Sequence, residues 1–228
     1  MKYENIVEGQ FINRINRFVA NVLIDGVVEQ VHVKNTGRCK ELLIEDAKVY
    51  LEKNNNPNRK TKYSLINVYK DNLLINMDSQ VPNVVVYEAV ENNKIPQLQD
   101  VKLLKREVTY KKSRFDLYYE TETIKGFIEV KGVTLEKDGI AMFPDAPTER
   151  GRKHVYELID SGQKGYTNYL FLLIQFKGAK KFIPNYEMDN KFALSLIQAR
   201  REGVSILCYD SVVTLDSIIV NENIKVQL

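Results

Sequence analysis

A chain of 228 residues with 44% apolar, 10% aromatic and 28% charged side chains can bury a sizeable core and is not a disordered polymer. Two cysteines, Cys39 and Cys208, are too few and too far apart for a disulfide framework. With His32 and His154 the only histidines, a Cys/His zinc site is not expected either. The net charge of +3 is uneven: residues 1–100 carry 13 basic and 13 acidic side chains, so the whole excess lies beyond them. That placement hints at an anionic partner for the second part of the chain. Met1-Lys2-Tyr3-Glu4-Asn5 is polar and lacks a signal-peptide core, and the longest apolar run, Tyr169 to Ile174, is too short to cross a membrane. A cytoplasmic protein with no membrane partner is the expectation.

Residues 1–80 read as short β segments. Phe18 to Ile24 leads into Asp25-Gly26, a hairpin turn signal, and the following strand alternates Val31 and Val33 against Gln30, His32 and Lys34. Lys48 to Glu52 repeats the alternation. A polar loop, Asn54 to Lys60, separates it from Tyr63 to Tyr69, and Leu73 to Met77 closes the set. Five short strands at this spacing predict a small barrel of the OB type, a fold that carries nucleic acid across one face.

The texture then changes. Val84 to Glu91 reads as a helix with Pro82 near its start and Ile95-Pro96 beyond its end. Two acid-bearing strands follow, then a strand ending near Met142-Phe143 and a helix from Thr148 to Asp160. Thr167 to Phe176 is an apolar run of the kind buried on both faces. Asp189 is expected to cap a helix built on Phe192, Ala193, Leu196 and Ile197, ended by Gly203 before a last strand, Val204 to Cys208. The order predicts an α/β (α+β) domain with a mixed central sheet over residues 81–228.

Two clusters carry chemistry. Phe127-Ile128-Glu129-Val130-Lys131-Gly132-Val133 puts Glu129 and Lys131 on one face of a strand, and the preceding strand carries Asp116. Two carboxylates and an ammonium converging on one spot would suit Mg²⁺ or Mn²⁺ over a phosphodiester. The acid-x-Lys spacing recurs at Asp46/Lys48, Asp100/Lys102 and Asp189/Lys191, but only Glu129/Lys131 lies inside an apolar strand. A cross-strand salt bridge on an exposed sheet remains the alternative. The second cluster, Phe143 to His154, opens a helix with Arg150, Arg152 and Lys153 against the helix dipole. Either an anion docks there, or the cations form a solvated face partly neutralised by Glu149 and Glu157. Asn35-Thr36-Gly37-Arg38 is a phosphate-binding turn or a plain polar one. Lys177 to Lys181 is a backbone-contacting loop or a soluble one. Glu88 and Gln175 are candidates to complete a metal shell.

The blocks Asn35-Thr36-Gly37-Arg38, Ser113-Arg114-Phe115-Asp116, Glu129 to Leu135, and Phe143-Pro144-Asp145-Ala146 followed by Thr148 to His154 resemble the signature blocks of the sugar fermentation stimulation protein (SfsA) family, in the family's order. The resemblance implies an N-terminal OB-like barrel (residues 1–80) and a restriction-endonuclease-like PD-(D/E)xK domain (residues 81–228). It also implies DNA binding and a role in regulating sugar (maltose) utilisation genes. Asp116, Glu129 and Lys131 take the two acid positions and the lysine, and Glu88 is the loose match to a helix acid. Phe115 stands where the general nuclease signature has proline. The resulting expectation is DNA held by Arg38, Arg114, Arg150, Arg152 and Lys153, with Mg²⁺ or Mn²⁺ on Asp116, Glu129 and Glu88. The rivals are a non-catalytic DNA-binding regulator and a small-molecule sensor using the cleft between domains. Oligomeric state stays open, a homodimer included.

Overall fold

The computed structural model describes residues 1–35, 37–56 and 58–228. Thr36 of the expected phosphate-binding turn and Pro57 of the polar loop lie outside the described residues. The N-terminal half contains β1 (Ile6–Arg14), β2 (Val19–Ile24), β3 (Val27–Val33), β4 (Lys48–Lys53), β5 (Tyr63–Lys70) and β6 (Leu73–Asn76). Antiparallel neighbours run β3-β2-β1-β4-β5-β6, and a parallel pairing of β3 with β5 (His32↔Ser64, Val33↔Leu65) closes the first five into a barrel. The barrel is the expected OB type, with altered membership. Ile6–Arg14 is a full barrel strand that the periodicity does not announce, and Leu73–Asn76 extends β5 outside the closed circuit.

The second half comprises α1 (Pro82–Glu91), β7 (Leu103–Tyr110), β8 (Ser113–Glu120), β9 (Lys125–Val133), β10 (Leu135–Lys137), β11 (Ile140–Phe143), α2 (Glu149–Gly162), β12 (Tyr169–Ile174), β13 (Lys181–Pro184), α3 (Tyr186–Arg201), β14 (Ser205–Val213) and β15 (Ile218–Asn223). A mixed six-stranded sheet, β15-β14-β12-β9-β8-β7, forms the centre, with β10-β11-β13 as a small second sheet. All six residues of β12 are buried, because helices cover both faces of a strand whose neighbours β9 and β14 are parallel to it. β7, β10, β13 and β15 are additions to the expected order; β7 and β15 are edge strands.

Polar ties hold the crossing segment to the barrel on one side and to the second half on the other. Lys34 pairs with Asp78 at 3.1 Å, and Asn35 Nδ2 donates to Met77 O at 3.0 Å. Gln175 Nε2, from the end of β12, donates to Asn76 Oδ1 at 2.9 Å and to Asp78 O at 3.0 Å. Gly132 makes room for that amide: a Cβ there would lie 2.3 Å from Gln175 Oε1. No helix among the described residues is long and apolar enough to cross a membrane.

Candidate functional site

β8 and β9 pair from Glu120↔Lys125 to Leu117↔Ile128, and there the ladder stops. The Val130 N–H donates instead to Asp116 Oδ2 at 2.8 Å. The carboxylate therefore fills the gap where the two strands part. Its Oδ1 accepts from Asn83 Nδ2, on the first turn of α1, at 2.6 Å. Burial and the negative charge of Glu129 push the Asp116 carboxyl up to about 6, while Lys131, the Val130 amide and Asn83 pull the other way.

Glu129 is 1% exposed and stands beside Leu170 in the register of β9 with β12. Its Oε1 accepts from the Lys131 Nζ and from His154 Nδ1, the latter at 2.5 Å. An ionised carboxylate only accepts, so Nδ1 carries the imidazole proton. The His154 ring is held edge-on by Phe115, at a centroid distance of 6.2 Å. Burial pushes the Glu129 carboxyl up, but Lys131 and His154 outweigh it and hold the group below the ordinary range. The second oxygen, Oε2, is buried without a hydrogen-bond partner. An ionised oxygen left bare in a protein interior is costly and marks a place where something else belongs.

Asp116, Glu129 and Lys131 are thus brought together. Glu88 is not: its carboxylate takes the N-terminal ammonium of Met1 at 2.5 Å, so the expected helix acid is absent from the site. Five residues along α1 turn Glu88 well away from the face of Asn83, and it is Asn83 that reaches Asp116. Gln175 is likewise committed to the tie between the halves. Arg150 is exposed and lines a cavity together with Lys131. Lys153 donates to Lys112 O at 3.1 Å and lies 3.8 Å from Glu157. Arg152 turns to Asp189 on α3, 3.9 Å away, and Arg114 is paired at 3.6 Å with Glu107 of the edge strand β7. The expected four-residue clamp on the second domain is therefore dispersed. Arg38 is exposed on the barrel's loop. In the Lys177–Lys181 loop, Gly178 N–H donates to Asp210, and Lys181 reaches Gln227.

Comparison with known proteins fits this architecture. Residues 12–77 match the SfsA N-terminal OB domain, and residues 80–217 match the sugar fermentation stimulation protein RE domain. The chain belongs to the sugar fermentation stimulation protein family. A family homologue from Alkaliphilus oremlandii is 54% identical over 99% of this chain and 98% of its own length. Another, from Clostridium beijerinckii, is 54% identical over the whole of both chains. Among solved structures, Pyrococcus furiosus SfsA in complex with Ca²⁺ superposes with a TM-score of 0.91 at 27% identity, covering 100% of this chain and 98% of that one.

Three residues of this SfsA-family chain act at or near the site without a sequence signal of their own. Asn83 and His154 orient the two carboxylates from α1 and α2. Arg14 lies in the barrel and donates to four backbone carbonyls, those of Gly37, Arg38, Arg17 and Asn35, at 2.5 to 2.9 Å. It thereby fixes the loops that present Arg17 and Arg38. The start of α2 has its own answer to the unfavourable cations. Thr148 Oγ1 accepts from Gly151 N–H at 3.0 Å, and Asp189 Oδ2 accepts from Thr148 N–H at 2.9 Å. α3 breaks at Asp189, whose Oδ1 also accepts from Phe192 N–H at 2.9 Å, so one carboxylate caps the longer segment of α3 after the break and seats the beginning of α2. The anion anticipated at this helix start is supplied by the protein itself. Asp189→Ala should cost about 2–4 kcal/mol in urea unfolding, the sum of two caps, with Asp189→Asn recovering most of it.

Proposed function

We propose that the chain is a DNA-binding protein whose second domain holds a Mg²⁺- or Mn²⁺-dependent phosphodiester-cleaving site. The observation that supports it best is the unpartnered, buried Glu129 Oε2 beside a second carboxylate whose proton affinity is raised in part by Glu129's charge. Two acids held together against their repulsion, one with a bare oxygen, fit a hard cation. Among the described residues no three His, Cys, Asp or Glu side chains gather to cage a metal unaided. That also suits Mg²⁺, which takes one or two carboxylates and completes its shell with water and substrate phosphate. The Ca²⁺ bound by the Pyrococcus furiosus relative is in keeping with this chemistry.

In this reading Asp116 and Glu129 would hold the cation. When bound, it supplies a Lewis acid for the phosphodiester and lowers the pKa of a coordinated water. Asn83 and His154 keep the carboxylates in place. Lys131, only 16% exposed at its side chain, steadies the attacking water or the charge that develops on the phosphoryl oxygens. Arg38 and Arg150 hold the DNA backbone. Binding near sugar (maltose) utilisation genes, the role that the family resemblance implies, would make that binding regulatory.

The test is incubation of purified protein with labelled DNA and Mg²⁺ or Mn²⁺. Cleavage should fall to background in Asp116→Ala and Glu129→Ala, and by about 10²–10⁴-fold in Lys131→Ala. Cleavage that survives unchanged in the acid variants overturns the assignment. The Glu129–Lys131 ion pair favours a second reading, a regulator that binds DNA through the same scaffold without cutting it. DNA binding that persists in EDTA, with no cleavage under any divalent cation, would select that reading.

A further inference from the structure

Two cavities run together along the seam between the barrel and the second domain. The outer one, about 1110 Å³, is lined by four cations, Arg14, Arg17, Arg38 and Lys40, against two acids, Glu45 and Asp145. The inner one, about 410 Å³, is lined by Lys131 and Arg150 on one side and by Asn35 and Ser79 on the other. Gly37, Phe143 and Asp145 line both, so the two cavities adjoin across these residues, and the inner one reaches Lys131. The approach at this junction is tight: a Cβ on Gly37 would lie 2.2 Å from Asp145 Oδ2.

We infer that this seam takes a single, unpaired polynucleotide strand and seats one of its nucleotides in the inner chamber. The inference rests on the reading of the acid site as one that works on DNA, and specifies the form of DNA. Three observations carry it. Arg17, Arg38 and Lys40 are exposed along the outer lip, where successive phosphates of one backbone would meet them. An inner volume of about 410 Å³ is in the range of a single small ligand, room for one nucleoside but not for a base pair between two backbones. Phe18 follows Arg17 in the chain, just outside the residues that line the outer cavity, and is 50% exposed. An exposed ring beside cations is a stacking platform, and stacking needs a free base face, which a duplex hides.

The experiment is fluorescence anisotropy in EDTA, with a labelled oligothymidylate and a blunt duplex of equal length. The single strand should bind about tenfold or more tightly than the duplex. Phe18→Ala should weaken the single strand by about tenfold and leave duplex binding unchanged. Removing Arg17, Arg38 and Lys40 together should weaken binding and flatten the log–log salt slope by about 2, at about 0.7 per lost contact. Ser79→Tyr, at an exposed position, narrows the inner chamber and should abolish the single-strand preference, whereas Ser79→Ala, which loses the same hydrogen bond to Lys34 O, should keep it. Equal or tighter binding of the duplex, or unchanged single-strand binding by Phe18→Ala and the triple variant, overturns the inference while leaving the DNA-directed reading intact. Absence of binding to either form overturns both.

Discussion

Replacing Asp116 with Asn should stabilise the cation-free protein by about 2 kcal/mol at pH 8. The Asp116 carboxyl is raised from 3.8 to about 6, and about two units at 1.36 kcal/mol each give about 3 kcal/mol of unfavourable ionisation in the folded state. Asn still accepts the Val130 N–H but loses part of the hydrogen bonding of a carboxylate, which returns about 1 kcal/mol. The sign follows from where the proton binds. The folded protein holds it more tightly than the unfolded chain, so this group adds stability as pH falls through 6, reaching its limit below 3.8. The advantage of Asp116→Asn should therefore be full at pH 8, shrink through pH 6 and vanish near pH 4. Urea unfolding in EDTA at these three values measures it. A variant less stable than the parent at pH 8 would mean that the carboxylate's hydrogen bonds outweigh its repulsion. Mn²⁺ should raise the parent's stability and leave Asp116→Asn almost unmoved, because a ligand that binds only the folded site stabilises it.

His154→Ala should cost about 3 kcal/mol, again in EDTA. It strips one of two donors from a carboxylate that is 1% exposed, and breaking a buried charge's partnership leaves most of that charge's desolvation uncompensated. Adding Glu129→Gln should recover much of the loss, since no ionised group is then buried there, and Lys131 can turn to solvent. A double-mutant cycle with a coupling energy of about 1–3 kcal/mol is the expected outcome. Strict additivity would show that the imidazole acts by packing on Phe115, not by holding the acid.

The second domain was legible wherever one signal sufficed. β12 is a continuous apolar run, Thr148 caps α2, and Asp189 caps the part of α3 built on Phe192, Ala193 and Leu196, though α3 itself starts a turn earlier with Asn185 as its cap. The barrel was legible in kind but not in membership. In β1 only Phe11 is fully buried, so alternation is faint, and Gly9 breaks it further. That glycine has a tertiary reason: a Cβ would lie 2.6 Å from Val22 Cγ1 on the neighbouring strand. β7 was missed because an edge strand such as Leu103–Tyr110, with Lys105, Arg106 and Glu107 exposed, has no buried face to print a period. At the site, strand alternation relates Glu129 to Lys131, two residues apart. It cannot reach Asn83 or His154, which arrive from helices 33 and 25 residues away in sequence. Glu88 illustrates the converse: an acid of the right type on the right helix, facing the wrong way.

Lys34–Asp78 and Asn35–Met77 pin the crossing segment to the barrel, and Gln175 pins it to the second half through Asn76 and Asp78, so the crossing has no free hinge. A molecule so braced does not close like a jaw. If the seam takes a strand as inferred above, that strand would have to thread in from an end or slip in sideways over the lip, with no domain closure behind it.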